Sequence, residues 1–449
     1  MKFHIITFGC QMNVHDSEWL TRALESRGWE AADEGDAQVY VLNTCSVREK
    51  PEQKVYSELG RIASHLERDD NIFAAVGGCV AQQVGRGFFE RFPFVKLVFG
   101  SDGVANAPNA LERIAEGDDE RVALLDFVSL YEEREAAEVS ASDVSATRKA
   151  FVNIMQGCDN FCSYCIVPYT RGRQKSRHPD DVLKECRSLV EAGVRELTLL
   201  GQNVNSFGLD KGGVGVSFAQ LLRSVSEIDG LDRLRFTTSH PKDIATEVVE
   251  AFGELKNLCP SLHLPLQAGS DSVLKAMRRK YSCESYLDIV NRLKAARPDI
   301  ALTTDLIVGF PGETEEDFQG TLDMVERVGF ESSFSFKYSD RPGVAAVNME
   351  PKVDPAEASE RLMRLQTMQN NITRNCLNKL VGLETEVLVE GHSKKQGGDA
   401  TSWKGRDPSG RIVNFFMKEE DGLVGLMVPV RVTEAKKHSL VGERNGEPW

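Results

Sequence analysis

The sequence lacks the features that mark a membrane or secreted protein. None of its 449 residues belongs to an apolar run long enough to cross a bilayer, and no hydrophobic segment with a small-residue cleavage site follows its start. An excess of positive charge is also missing, because the formal net charge is −14. We therefore expect a cytoplasmic protein without membrane contact, whose ten cysteines include metal ligands rather than disulfides.

The loop "CDNFCSYC" lacks a fourth cysteine. Cys158, Cys162 and Cys165 are spaced C-x3-C-x2-C, whereas a structural zinc ion or a fully ligated iron–sulfur cube takes four protein ligands. A zinc site could use His178 as its fourth ligand, 13 residues beyond Cys165. A cube held by three thiolates leaves one iron open to chelate a small molecule through an amine and a carboxylate. The spacing and the position of the loop favour the cube.

Three further cysteines follow strand patterns near the start of the chain. The runs "KFHIITFG", "AQVYVLNT" and "NIFAAVGG" alternate with helical patterns, which predicts a parallel α/β sheet. Each run ends at a cysteine, namely Cys10, Cys45 or Cys79. Because the carboxyl ends of parallel strands face one crevice, we expect these three side chains to meet.

The whole chain reads as an α/β multidomain protein. Residues 1–118 form the open parallel sheet, and residues 119–145 are acidic and rich in Ser and Ala, as linkers are. Six strand–helix repeats in residues 146–376 predict an incomplete (β/α)6 barrel of TIM type, with the "CDNFCSYC" loop after its first strand, at the end where such barrels place active sites. Residues 377–445 predict a small OB-like all-β barrel.

These motifs carry a resemblance. A C-x3-C-x2-C loop after the first strand of an incomplete barrel resembles the radical S-adenosylmethionine (SAM) superfamily. The runs "GCQMN", "NTCSVRE", "GGCVAQ", "GCDNFCSYCIVPYTRGRQKSR", "LLGQNVNSFG", "LHLPLQAGSDSVLKAMRR" and "TTDLIVGFPGETEEDF" together resemble the radical SAM methylthiotransferases, over essentially the whole chain. The tail is similar to their RNA-binding TRAM domain.

The resemblance implies two [4Fe-4S] clusters and SAM as cofactors. One cluster, at Cys158, Cys162 and Cys165, would cleave SAM, whose adenine would pack on Tyr164. The auxiliary cluster would be held by the other triple: Cys10, Cys45 and Cys79. The family also implies an electron donor protein and a sulfur donor or iron–sulfur assembly protein. We expect a monomer.

"FTTSHP" and "SFKYSDRPG" look most like the branch that modifies tRNA. That branch methylthiolates N6-isopentenyladenosine next to the anticodon, so the anticodon stem-loop would be the substrate; Val344 departs from its usual threonine. The alternatives are a methylthiotransferase acting on a ribosomal-protein aspartate or on N6-threonylcarbamoyladenosine in tRNA and, from another class, a non-enzymatic metal-containing RNA-binding module.

Two further sets of residues are candidates for contacts. Four basic residues close to the cysteine loop could hold an RNA backbone: Arg171, Arg173, Lys175 and Arg177. Four polar residues at predicted strand ends of the barrel could bind SAM or substrate: Gln202, Asn203, Gln267 and Asp305. Unpaired cysteines elsewhere are expected to be small core residues: Cys186, Cys259, Cys283 and Cys376.

Overall fold

The computed structural model describes residues 1–46, 51–64, 72–134, 144–393, 401–417 and 422–449. Within these ranges, no helix is both long and apolar enough to span a membrane. Short 3-10 helices lie at Glu34–Asp36, Val204–Ser206, Pro241–Asp243 and Ala345–Asn348.

The N-terminal unit is a six-stranded, wholly parallel sheet. Its elements are β1 (Lys2–Thr7), α1 (Gln11–Glu25), β2 (Glu30–Ala31), β3 (Val39–Thr44), α2 (Pro51–Ala63), β4 (Phe73–Gly78), α3 (Cys79–Val84), α4 (Gly87–Arg91), β5 (Val95–Phe99), α5 (Ala107–Ala115) and β6 (Val122–Leu124). The strand order is β2-β1-β3-β4-β5-β6. Every residue of β3 and β4 is buried, as expected of central parallel strands covered on both faces. The open parallel sheet that the sequence predicts is therefore confirmed.

Part of the predicted linker belongs to this sheet. Val122–Leu124 lie within the segment 119–145, yet they pair with Leu97–Phe99 as the edge strand β6. A strand of three residues is too short to produce a periodic pattern, so no sequence pattern indicated it. Residues 135–143 of the same segment lie outside the described residues, and the domain boundaries stay predictions.

The central unit is an open arc of six parallel strands with helices on its outside. Its elements are β7 (Lys149–Asn153), β8 (Met155–Gln156), α6 (Val167–Thr170), β9 (Lys175–Ser176), α7 (Pro179–Glu191), β10 (Glu196–Leu200), α8 (Phe218–Ser226), β11 (Arg233–Thr237), α9 (Thr246–Glu254), β12 (Ser261–His263), α10 (Asp271–Ala276), α11 (Cys283–Ala296), β13 (Ala301–Val308), α12 (Glu315–Val328), β14 (Ser332–Lys337) and α13 (Pro355–Asn378). The orders β7-β10-β11 and β12-β13-β14, joined by a parallel bridge from Leu234 to Leu258, confirm the incomplete barrel.

The C-terminal unit is a closed five-stranded barrel. Its strands are β15 (Glu384–His392), β16 (Thr401–Arg406), β17 (Ile412–Met417), β18 (Met427–Ala435) and β19 (Leu440–Arg444), in the order β15-β16-β17-β19-β18. It covers the amino-terminal ends of the central strands. Arg233, at the start of β11, donates to the carbonyls of Glu386 and Arg406 at 2.6 and 2.9 Å. Arg411 forms a two-bond ion pair with Glu331, just before β14.

Buried ion pairs fasten the N-terminal unit to the central arc. Arg177 is 7% exposed and contacts Glu185 at 2.5 Å and Glu133 at 2.7 Å. His15 of α1 approaches the same Glu185 at 3.2 Å. Lys175, 2% exposed, pairs with Asp102 at 2.5 Å. Charged groups removed from water need such partners, so these side chains join the units to each other.

The predicted RNA contacts of this segment need correction. Arg171, Lys175 and Arg177 are buried, and a buried cation that is already paired cannot hold a phosphate backbone. The side chain of Arg173 is 66% exposed, so it stays a candidate. A basic run does not reveal which of its members face a neighbouring unit, which is why the four looked alike in the sequence.

Replacing Arg177 by alanine is expected to lower the free energy of unfolding by about 2 kcal/mol, because it removes the cation between Glu133 and Glu185 and leaves Glu185 with His15 alone. Both carboxylates are partly exposed, which keeps the cost below that of a fully buried pair. The matched control is Arg173→Ala, which removes an exposed ion pair with Asp159 worth less than about 1 kcal/mol. Urea unfolding midpoints check this. Equal shifts for the two variants would contradict the interface role.

Candidate active site

The three N-terminal cysteines lie together at the carboxyl ends of adjacent strands. Cys10 precedes α1, Cys45 follows β3, and Cys79 is the first residue of α3. The backbone of Gly9, whose φ angle is +128°, passes close to the side chain of Cys45. A Cβ atom added at Gly9 would lie only 2.3 Å from Cys45 Cβ. The hydrogen bond to Cys45, followed by the charge of Arg171, lowers the pKa of the Cys10 thiol to about 5. This triple therefore favours a thiolate, the form that binds metals.

Arg171 comes from the central unit and reaches this triple. The residue is 4% exposed, and its guanidinium donates to Asn13 Oδ1 at 3.4 Å and approaches Met12 Sδ at 3.6 Å. Burial opposes its charge, but the neighbouring Cys79 and Cys10 raise the pKa of Arg171 overall. The sequence analysis predicted that Arg171 contacts the RNA backbone. In the structure its guanidinium instead lies beside the N-terminal cysteines, where a positive charge favours their thiolate form.

The second triple lies in the loop between β8 and α6. Cys162 is buried, and Cys158 and Cys165 are partly exposed. Burial, with Cys162 nearby, raises the pKa of Cys165 to about 12, and burial also raises that of Cys158. Arg279 donates to Cys162 Sγ at 3.4 Å from a buried position.

Arg279 is a site residue that sequence reasoning missed. Its guanidinium also donates to the carbonyl of Pro265 at 3.1 Å and to the hydroxyl of Tyr281 at 3.0 Å. The residues on either side, Arg278 and Lys280, are exposed and have positive φ angles of 58° and 60°. Such angles are uncommon outside glycine, and here they turn Arg279 inward while its neighbours face solvent. In the sequence, the run "KAMRRKY" shows only a cluster of positive charge and does not indicate which of its residues is buried.

A short chain of contacts links the two triples. Gln202 follows β10, and its carbonyl accepts a hydrogen bond from the backbone N–H of Gly157, next to Cys158, at 2.5 Å. Its amide reaches the sulfur of Met12, which lies two residues after Cys10. A short path of side-chain contacts therefore joins the two triples where the N-terminal sheet meets the central arc. Gln202, a predicted SAM contact, lies between them.

The other predicted SAM contacts take different positions. Asn203 is buried and fully engaged, because its amide donates to Asp243 at 2.7 Å and its carbonyl accepts from His240 N–H at 3.0 Å. Gln267, whose φ angle is +71°, donates its backbone N–H to the carbonyl of Asp305 in β13 and accepts a hydrogen bond from the N–H of Ile307. Asp305 pairs with His263 at 3.4 Å. Tyr164 packs, partly buried, with the cluster that contains Met277 and Phe310. Cofactor contacts of Asn203, Gln267, Asp305 and Tyr164 stay predictions.

Five of the buried polar atoms that have no partner among the described residues lie after β10 and β11. They are both amide atoms of Asn205, Thr238 Oγ1, Ser239 Oγ and His240 Nε2. Burial, then repulsion by Arg279, lowers the pKa of His240 to about 2, so its ring is neutral. Since Nδ1 accepts from the N–H of Lys242, Nε2 carries the proton and is a donor. Such orphaned groups fit a site that receives a polar ligand.

The donor sets suit iron–sulfur cubes better than zinc. Among the described residues, no three His, Cys, Asp or Glu side chains converge as ligands of a single metal ion. His178 is exposed and caps α7, which removes the fourth zinc ligand that the sequence left open. In a cube, each thiolate binds a different iron, so three separated thiols suffice. Each triple also has a buried arginine beside it, which fits an anionic cluster.

Family models and relatives agree with this geometry. Models match residues 2–100 (uncharacterized protein family UPF0004), 152–325 (radical SAM superfamily) and 378–443 (TRAM domain). A protein of Nitratidesulfovibrio vulgaris (strain Hildenborough) named tRNA-2-methylthio-N(6)-dimethylallyladenosine synthase is 59% identical over 447 residues, covering 100% of this chain and 99% of its own. A Lawsonia intracellularis protein of the same name is 50% identical, with 98% of each chain covered.

The chain belongs to the family of tRNA-2-methylthio-N6-dimethylallyladenosine synthases. The resemblance to the radical SAM methylthiotransferases is thereby confirmed. Membership supports an iron–sulfur cluster and SAM as cofactors.

Solved structures support the fold. The radical SAM methyltransferase TsrM from Kitasatospora setae matches with a TM-score of 0.59 and 16% identity, covering 83% of this chain and 89% of its own. The cobalamin-dependent radical SAM enzyme OxsB matches with a TM-score of 0.55 and 13% identity, covering 82% of this chain and 56% of its own. At these identities, the likeness concerns the architecture alone.

The opposite pKa shifts of Cys10 and Cys165 predict different reactivity in metal-free protein. Cys10, with a pKa of about 5, is a thiolate at pH 7, whereas Cys165, with a pKa of about 12, is protonated. Iodoacetamide should alkylate Cys10 much faster at pH 7, with a rate that falls only below about pH 5. The rate at Cys165 should still rise above pH 10. Peptide mass spectrometry after timed labelling measures both, and equal rates at pH 7 would contradict the assignment.

Proposed function

We propose that this enzyme methylthiolates N6-dimethylallyladenosine (N6-isopentenyladenosine) next to the anticodon of tRNA, using SAM as both radical source and methyl donor. The observation that carries the proposal is that contacts through Met12 and Gln202 link the two cysteine triples. A reaction that joins a sulfur atom to a carbon needs the sulfur source and the radical source within reach of one substrate atom. The names of relatives 50–59% identical support the substrate.

Two [4Fe-4S] clusters fit the two triples. When bound, the clusters and SAM supply the radical, the sulfur and the methyl group. The protein holds one cluster with Cys158, Cys162 and Cys165 and the other with Cys10, Cys45 and Cys79. Arg279 and Arg171 lie against the respective thiols, where a fixed positive charge offsets the negative charge of thiolate-ligated iron.

The target base would leave the RNA stack to reach the mouth of the arc. An enzyme that modifies a base carbon must take that base out of its stack, which costs least in a single-stranded loop. Arg173 and the TRAM-like barrel would hold the phosphate backbone. An electron donor protein and a sulfur donor complete the reaction, and the enzyme acts as a monomer.

Substitutions in the two cysteine triples should abolish different steps of the reaction. Alanine at Cys158, Cys162 or Cys165 is expected to abolish reductive cleavage of SAM. Alanine at Cys10, Cys45 or Cys79 should leave cleavage and lose methylthio transfer. Iron content should fall from about eight atoms per chain to about four in either set. Cys376→Ala, a partly buried cysteine on α13, is the matched control. Loss of SAM cleavage in both sets would contradict separate roles.

Nucleoside analysis tests the substrate. A strain that lacks the gene should lose 2-methylthio-N6-dimethylallyladenosine from bulk tRNA and regain it when the wild-type chain is restored, as measured by mass spectrometry. Unchanged levels would reject the proposal. In that case, a missing methylthio group on a ribosomal-protein aspartate or on N6-threonylcarbamoyladenosine would identify the sister activity instead, and SAM left uncleaved under reduction would favour a non-enzymatic module.

A further inference from the structure

Two phenylalanines on β14 are exposed although they lie within a strand of the central arc. Phe334 is 62% and Phe336 is 51% exposed. The strand is the last of the arc, at the side where the incomplete barrel is open. Large aromatic surfaces that stay in contact with water are unfavourable unless something covers them.

Strand register places both rings on the inner face of the arc. In the parallel pairing of β13 with β14, Asp305 is opposite Phe334 and Ile307 is opposite Phe336, so these four residues share a face. The alternating residues of β13 are buried against the surrounding helices: Leu302, Leu306 and Val308. Because the helices cover the outside of the arc, Phe334 and Phe336 point into its interior.

Polar and apolar groups on the same face complete a defined surface. The ring of His263 on β12 lies 6.2 Å from that of Phe334, nearly edge-on, and His263 Nε2 lies 3.4 Å from Asp305 Oδ2. At the other end, Ile307 packs in the same cluster as Tyr164 of the cysteine loop. The surface therefore runs from a carboxylate, along two aromatic rings, towards the "CDNFCSYC" loop.

We propose that Phe334 and Phe336 form the surface on which the N6-alkylated adenine of the RNA substrate stacks. The proposal rests on the proposed function and assigns residues to its substrate site. Base–aromatic stacking stabilises an unstacked base, and the apolar dimethylallyl group gains from the same rings. The remaining hydrogen-bonding capacity of the Asp305 carboxylate suits the N6–H that such a base retains.

The adenine of SAM is the other purine that could occupy this surface. Under the proposed function, SAM would bind at the cysteine loop, where the cluster held by Cys158, Cys162 and Cys165 would offer its open iron. The rings of β14 instead line the open side of the arc, where a nucleotide still attached to an RNA chain can enter from outside. This position favours the RNA base.

Binding to reconstituted full-length enzyme tests the assignment. The probes are two fluorescent anticodon stem-loop RNAs, one with N6-dimethylallyladenosine and one with unmodified adenosine at the target position. Wild type should prefer the alkylated RNA. Replacing Phe334 and Phe336 together by alanine should weaken binding of that RNA on the order of tenfold and remove the preference. Met363→Ala, which removes an equally exposed side chain (62%) from the outer helix α13, should change neither affinity.

Leucine at both positions covers the case in which the alanine variant does not fold. Leucine keeps the apolar surface but loses the ring, so the preference should shrink while the protein remains folded. Reductive cleavage of SAM, measured without RNA as 5′-deoxyadenosine, should match wild type in each folded variant.

Two results would overturn the inference. An unchanged preference for the alkylated RNA in both variants would reject it, and so would impaired SAM binding with normal RNA preference, which would assign the rings to the adenine of SAM. Neither result touches the proposed function as long as wild type methylthiolates the alkylated RNA. Failure of wild type to modify that RNA would reject both proposals together.

Discussion

The buried charge of Arg171 is the constraint on which the arrangement of this site depends. A guanidinium taken out of water is costly unless negative or strongly polar partners surround it. Arg171 belongs to the segment that continues the "CDNFCSYC" loop, yet its partners are Asn13 and the thiols of Cys10 and Cys79 in the N-terminal unit. The loop can dock only where these thiols lie. One residue thereby fixes the position of one cysteine triple relative to the other.

The second cysteine triple also has a buried arginine beside it, but this arginine comes from another part of the chain. Arg279 comes from the turn after α10, some distance along the chain from the "CDNFCSYC" loop, and it contacts Cys162. Each triple thus depends on a cation that its own strand–loop segment does not contain. Hydrogen bonds and charge near cluster sulfurs set reduction potentials, so under the proposed function the two arginines would tune the two clusters separately.

The sequence predicted what topology determines and missed what packing determines. Cysteines at the ends of three parallel strands must meet at one edge, so Cys10, Cys45 and Cys79 could be grouped from spacing alone. The environment of a long cationic side chain depends on the neighbouring unit, which local sequence does not describe. Arg171, Lys175 and Arg177 therefore resembled an RNA-binding run, although they are buried at an interface. The strand Val122–Leu124 was not predicted for another reason, because three residues are too few to show a period in hydrophobicity.

The C-terminal barrel decides from which side a substrate can reach both triples. Its contacts through Arg233 and Arg411 cover the amino-terminal ends of the central strands. The carboxyl ends carry the "CDNFCSYC" loop and face the N-terminal sheet. Under the proposed function, an RNA held by the C-terminal barrel would reach the triples along the open side of the arc, which β14 borders. The inner face of β14 would come before the cysteines on that path, so the surface proposed for the alkylated base would be met before the chemistry begins.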